Sequence, residues 1–260
     1  MTNLDRKTIP AFKQIEKLEI LRAEKKILSN GIPVYFVNAG TEDVVKIELI
    51  FNAGTFRAVT ENNAFSPLLA SATNHLIAEG TSSKSSSELA ELIDFYGAFI
   101  NTDCDKDFAS VSLFSLNKYL ESVLPLLEEI IKDAGFPEQE LSVYMQNAKQ
   151  KFIVDSEKVH HISRRKFNEV IFGKNHPYGK NVEESDFENL KRNELLNFFK
   201  QFYIPQNCVI IVSGKITTNM FSLLEKAFGN WKNQKSYSRS NRGQNSESGI
   251  QPHSEKKTFC

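Results

Sequence analysis

Apolar and polar residues alternate with period two over Val45-Lys-Ile-Glu-Leu-Ile-Phe51, the pattern of a strand with one buried face. Upstream, Leu28-Ser-Asn-Gly-Ile-Pro-Val-Tyr-Phe-Val-Asn38 holds a turn at Asn30-Gly31 between apolar runs and predicts a further strand, paired with the first. Pro67 to Ile77 is apolar, free of glycine and too long for a typical strand, so it predicts a helix entered near Ser66-Pro67 and ended near Gly80. Ser85-Ser-Ser-Glu88 has capping-box spacing, which places a helix over Ser86 to Tyr96 with its stop at Gly97. Ala98 to Thr102 and Phe108 to Phe114 flank the polar turn at 103–107 and read as a hairpin. Leu and Ile at helical spacing predict helices over Tyr119 to Lys132, over Glu138 to about Phe172 with a bend near Asp155-Ser156, over Lys191 to Phe202, and over Thr217 to Phe228. The β-branched run Cys208-Val-Ile-Ile-Val-Ser213 predicts a central strand.

Hairpins mixed with helices, without strict βαβ alternation, define an α+β class: a largely antiparallel sheet covered by helices. The expected folded domain is residues 28–231. Residues 1–27 are charged and irregular, and predict an arm laid over the domain surface. From 232 to 260 the composition turns to Ser, Asn, Gln, Gly and Arg, which predicts a flexible linker.

Lys plus Arg and Asp plus Glu each number 32, so the formal charge is zero and gives no global reason to expect nucleic acid or an anionic membrane as partner. The three cysteines, Cys104, Cys208 and Cys260, are widely spaced and show no metal-ligand pattern, which favours a reducing compartment over a disulfide framework. No apolar stretch of signal-peptide length follows Met1, so the expected location is cytoplasmic, or periplasmic if an upstream signal was removed. The 20 Phe and seven Tyr, without basic interleaving, read as core filling.

Five local patterns, in order, resemble the first domain of the insulinase-type (pitrilysin-type, inverzincin) zinc metallopeptidases. They are Leu28 to Phe36, Phe51-Asn-Ala-Gly54, His75-Leu-Ile-Ala-Glu-Gly-Thr81, Val170-Ile-Phe-Gly-Lys-Asn-His-Pro-Tyr-Gly179, and Phe202-Tyr-Ile-Pro-Gln-Asn-Cys-Val-Ile-Ile-Val-Ser-Gly214. The resemblance implies the fold of the mitochondrial-processing-peptidase-like metallohydrolases and a second, similar domain beyond the linker, with this chain the first part of a longer protein.

In that family His-x-x-Glu-His presents two imidazoles from one helical face to Zn²⁺, with the Glu as general base. The resemblance registers Ser71 on the first His, Asn74 on the Glu and His75 on the second His. The family's remaining ligand, a Glu on a later helix, falls at Tyr144-Met-Gln-Asn-Ala148, which offers no carboxylate. A lone imidazole cannot hold zinc, and an amide is no base near neutral pH. No catalytic, cofactor or metal residue is therefore expected, and His75 reads as a partly buried, locally bonded helix residue. His160 and His161 are adjacent and project about 100° apart on a helix, so they do not chelate together. His176 reads as a turn residue, Ser82 to Ser87 as capping and loop serines rather than phosphorylation sites, and Cys104 as a plain exposed thiol.

The resemblance implies a non-catalytic homologue, inactive alone, that partners an active insulinase-type peptidase around peptides in a shared chamber. The alternatives are an active zinc endopeptidase, for which zinc would be the cofactor, and a structural core subunit.

Overall fold

The computed structural model describes residues 20–60 and 66–232. Most of the expected N-terminal arm, and all but the first residue of the expected linker, lie outside the described residues. The strands are β1 (Glu24–Ile27), β2 (Pro33–Asn38), β3 (Val44–Phe51), β4 (Phe99–Cys104), β5 (Ala109–Leu116) and β6 (Cys208–Gly214). The helices are α1 (Thr55–Thr60), α2 (Leu68–Leu76), α3 (Ser86–Phe95), α4 (Leu120–Lys132), α5 (Glu138–Ser156), α6 (Val159–Phe172), α7 (Asp186–Asn189), α8 (Arg192–Phe202) and α9 (Met220–Phe228).

All six strands form one sheet in the order β1-β2-β6-β3-β5-β4, antiparallel except for the β2–β6 ladder. The α+β class with a largely antiparallel sheet is therefore correct. The period-two pattern of β3 sends Val45, Ile47, Leu49 and Phe51 to one face, where they meet Leu113, Val111, Val212 and Ile210 from the neighbouring strands. Helices α2 and α4 pack there, with α8 against α2 and α9 against α4, so the core is a single sheet-to-helix layer.

Two readings are corrected. The strands β2 and β3 do not pair: β6, apolar on both faces, enters between them, parallel to β2 and antiparallel to β3. Their closeness in sequence suggested a hairpin, but the pairing is decided by which run can be buried on both sides. Residues 24–27, assigned to the surface arm, form β1, which pairs with β2 across the Asn30-Gly31 turn. Every β1 residue is exposed, so no alternation marked it. The short α1 and α7 were not predicted, and the long helical stretch is interrupted at Glu157-Lys158 between α5 and α6.

Loops are fixed by side-chain to backbone bonds. Asn30 Nδ2 donates to the carbonyls of Phe228 and Trp231 at 2.8 and 3.0 Å, tying the first turn to the end of α9. The Arg192 guanidinium donates to the carbonyls of Phe136 and Gly135, holding the chain where Phe136 sits at φ 48°. At Gly54 a Cβ would stand 2.4–2.6 Å from the backbone of Lys106 and Asp107, so only glycine lets the β4–β5 turn lie over the start of α1. The predicted capping box at Ser85 and Glu88 is present.

Beside it, Glu129 of α4 accepts from Thr81, Ser83 and Lys84. Desolvation works to raise this carboxyl, but those hydrogen bonds outweigh it and hold Glu129 down at about 2. A depressed folded value, against an unfolded carboxyl near ~4.3, gives stability that is complete above the unfolded value and lost as pH falls toward the folded one. Urea midpoints of the parent and Glu129→Gln should therefore differ at pH 6 and converge by about pH 2; a difference independent of pH would refute the assignment.

Candidate functional site

The site is built on α2. Seven of its nine residues are buried, and the helix runs beneath β4 and β5 with α5 and α8 as neighbours. Ser71 and His75 are one turn apart, and both meet the same residue of α5, Tyr144. The His75 ring stacks on the Tyr144 ring with centroids 4.7 Å apart and planes at 29°. The Ser71 hydroxyl donates to the Leu68 carbonyl at 3.1 Å and lies near the Tyr144 phenol. Burial pushes that phenol up from its ordinary range despite the opposing effect of Ser71. Within 144–148, Met145 is buried and Gln146 and Asn147 are exposed, so Tyr144 is the member of that stretch set against α2. His75 is exposed, which corrects the expectation of a partly buried ring.

Asn74 is 1% exposed. Its Nδ2 donates to the carbonyls of Asp103 at 2.7 Å and Ser110 at 3.2 Å, and its Oδ1 accepts from the Tyr203 hydroxyl at 2.9 Å. The amide is thus a tie between α2, the β4–β5 pair and the end of α8, and offers no free group to a substrate. Tyr203 is fully enclosed against Phe51 and Phe199, and burial pushes its phenol well above the ordinary range.

Cys104 closes β4 and is half-buried, packed against the core, where burial and then Asp105 and Asp103 push its thiol up to about 12. This corrects the exposed-thiol reading: Cys104 continues the inward alternation of β4 rather than belonging to the polar turn. The His160 and His161 rings lie 4.6 Å apart, with His161 Nε2 at 3.7 Å from Asp155. His176 accepts the Tyr178 amide at 3.1 Å within its turn. Ser85 caps α3, Ser86 binds Glu79, and Ser82 binds Asp133. Among the described residues no group of three His, Cys, Asp or Glu side chains is placed to hold a metal. Zinc would meet one imidazole, one hydroxyl and one protonated phenol on Ser71, His75 and Tyr144, a donor set that does not fit it.

Sequence reasoning missed Tyr144 and Tyr203 as partners of the site. Tyr203 stood inside a family-like segment and Tyr144 inside the stretch registered on the third ligand. Their ring directions depend on how α5 and α8 dock against α2, which no local pattern gives.

The architecture is a two-layer α+β domain, with α2 beneath the edge strand β4. The family model described as "Insulinase (Peptidase family M16)" matches residues 34–182, and that of the "Peptidase M16 inactive domain" matches residues 189–259. The chain belongs to the insulinase family, M16. It is 25% identical over 208 residues to an uncharacterised zinc protease, YmxG, of Bacillus subtilis, covering 78% of this chain and 49% of that protein. It is 27% identical over 213 residues to the alpha-1 subunit of the mitochondrial-processing peptidase of Dictyostelium discoideum, covering 80% and 31%. Among solved structures, a peptidase M16 inactive domain from Pseudomonas fluorescens superposes with a TM-score of 0.73 at 21% identity, covering 85% of this chain and 53% of that one. The chain spans half or less of the length of these curated relatives.

Tyr203→Phe leaves the buried Asn74 Oδ1 without its donor and should cost about 1–3 kcal/mol, while Asn74→Leu, which strands two carbonyls and a hydroxyl, should cost more. Urea denaturation decides it, and a Tyr203→Phe variant as stable as the parent would show that the tie carries no stability.

Proposed function

We propose that this chain is a non-catalytic subunit of an insulinase-type peptidase, pairing with an active zinc-bearing member to enclose peptides in a shared chamber. One observation carries the reading. Where the family presents a carboxylate to zinc, Tyr144 lays its protonated phenol ring on the single remaining imidazole, His75, with centroids 4.7 Å apart. The position of the general base is likewise spent on structure, since Asn74 is bonded on both sides of its amide.

Two further features support a role in holding peptides. Strand β4 is an edge strand, so its outer row of backbone groups can pair with an extended peptide, and it lies beside α2. One relative is named as a subunit of a processing peptidase, which supports an assembly of unlike members. No helix of the described residues is long and apolar enough to cross a membrane.

Elemental analysis of the purified chain should find no stoichiometric zinc; about one zinc per chain would overturn the proposal. The double variant Ser71→His with Tyr144→Glu should gain zinc affinity, because it rebuilds two imidazoles and a carboxylate around His75, whereas each single change should not. Isothermal titration with zinc checks this, and a folded double variant that binds no tighter than the parent would show the register to be mistaken. Co-purification with a homologue carrying an intact His-x-x-Glu-His separates a partner subunit from a structural core subunit.

A further inference from the structure

Helix α6 wears its apolar side outward. None of its residues is buried: the face toward the body carries half-buried His161, Arg165, Asn168 and Glu169, while Val159, Ile162, Phe167, Val170 and Ile171 are 46–83% exposed. A helix on the outside of a finished domain does the reverse. The surface is also strongly charged. From Asp155 to Glu184 the basic residues Lys158, Arg164, Arg165, Lys166, Lys174 and Lys180 are set against Asp155, Glu157, Glu169, Glu183 and Glu184, and Lys158 is paired with Asp155 at 2.7 Å, so the basic excess is local to Arg164, Arg165 and Lys174. Glu169 is already engaged by Lys166 at 2.8 Å and Asn181 at 3.3 Å.

The flanks continue the pattern. On the β4–β5 turn, burial and the nearby Arg164 guanidinium lower the Lys106 ammonium, so two cations face one another there. Between α6 and the following loop lies a cavity of about 610 Å³, lined by Arg165, Lys174, Asn175 and Lys180 together with Glu169 and Glu183. It is large enough to admit a side chain.

We propose that α6 and the loop after it are a docking surface for an acidic amphipathic segment of a partner protein, its apolar side on the Val159, Ile162, Phe167 and Val170 stripe and a carboxylate in the cavity. This rests on the partner-subunit reading and names the chemistry of the contact. Charge complementarity selects the occupant. A second copy would set Arg164 and Lys166 against their own kind, and like charges brought together oppose docking. An anionic bilayer would answer the basic stripe but cannot enter a concave cavity, whereas a glutamate side chain can.

The test uses the full chain and fluorescence anisotropy with a labelled amphipathic peptide of Leu and Glu, its Leu and Lys counterpart, and vesicles of phosphatidylglycerol. The Leu–Glu peptide should bind, more weakly as salt is raised, and the Leu–Lys peptide should not. Arg164→Glu with Lys174→Glu, both exposed residues, should weaken binding about tenfold or more, as should Phe167→Ser with Val170→Ser, with circular dichroism unchanged. Equal binding of both peptides, or parent-like binding by the charge-reversed chain, would overturn the surface. Vesicle binding without Leu–Glu binding would overturn it in favour of a membrane. If a natural partner co-purifies equally with the parent and the charge-reversed chain, the surface is wrong and the subunit reading stands. If the chain carries stoichiometric zinc, that reading falls while the peptide titration still decides the surface.

Discussion

The sheet is not continuous until β6 is in place. Strands β1 and β2 form one hairpin and β3, β5 and β4 form a separate antiparallel set, and β6 alone joins them, pairing with β2 on one side and β3 on the other. Its run of β-branched residues is buried at Cys208, Ile210 and Val212, while Val209 and Ile211 are half-buried on the opposite face. The contacts that finish this closure are long-range: Asn38 accepts the Ile216 amide across 178 positions, and Asn30 reaches Phe228 across 198. Loop closure of that span costs entropy before any contact repays it, so the two halves of the sheet depend on the last strand for their mutual position.

The same closure decides the fate of the position registered on the family's general base. Asp103 and Ser110 face each other across the β4–β5 ladder, and their carbonyls both point to Asn74. Tyr203 arrives just ahead of β6 and supplies the matching hydroxyl. An amide suits this place because it donates twice and accepts at its oxygen. A glutamate would keep the Tyr203 donor but set a negative charge against the two carbonyl oxygens of Asp103 and Ser110, and a buried charge so placed is expensive. At residue 74 the amide's bonds hold α2 to the β4–β5 pair and to the end of α8.

Much of this fold was legible because local signals agreed with the global outcome. The capping box at Ser85, the stop at Gly97, the break after Ser156 and the alternation of β3 each rest on interactions within a few residues, and each is found. The hairpin of β4 and β5 was legible and is found, but the pairing of β2 and β3 was not, since the Asn30-Gly31 turn joins β1 to β2 and nothing in either β2 or β3 announces that β6 will separate them. At the site, the sequence singled out Ser71, Asn74 and His75 but not Tyr144 and Tyr203, which meet them. Which residue of 144–148 meets His75 depends on the rotation of α5, and its weakly amphipathic composition leaves that rotation open. Cys104 was misread for a similar reason: strand β4 runs further into the acidic turn than its apolar residues suggest, and the inward phase carries the thiol with it.

The surface of α6 marks a different limit. Spacing of Val159, Ile162, Phe167 and Val170 identifies a helix with an apolar side, but periodicity gives the direction of that side only relative to the helix, not to the rest of the protein. The usual inference, that the apolar side faces the core, holds when the domain is complete in itself. Here the interior beneath α6 is served by polar groups, among them Arg165 stacked over Phe152 at 5.6 Å and Asn181 bonded to Glu169. An apolar side turned to water gains nothing from hydration, and Val159, Phe167 and Val170 stay 63–83% exposed on a well-formed helix. Net charge hides the same fact. A total of zero is compatible with a basic stripe on one helix so long as acids collect elsewhere, and it is the local field, not the sum, that a docking partner meets.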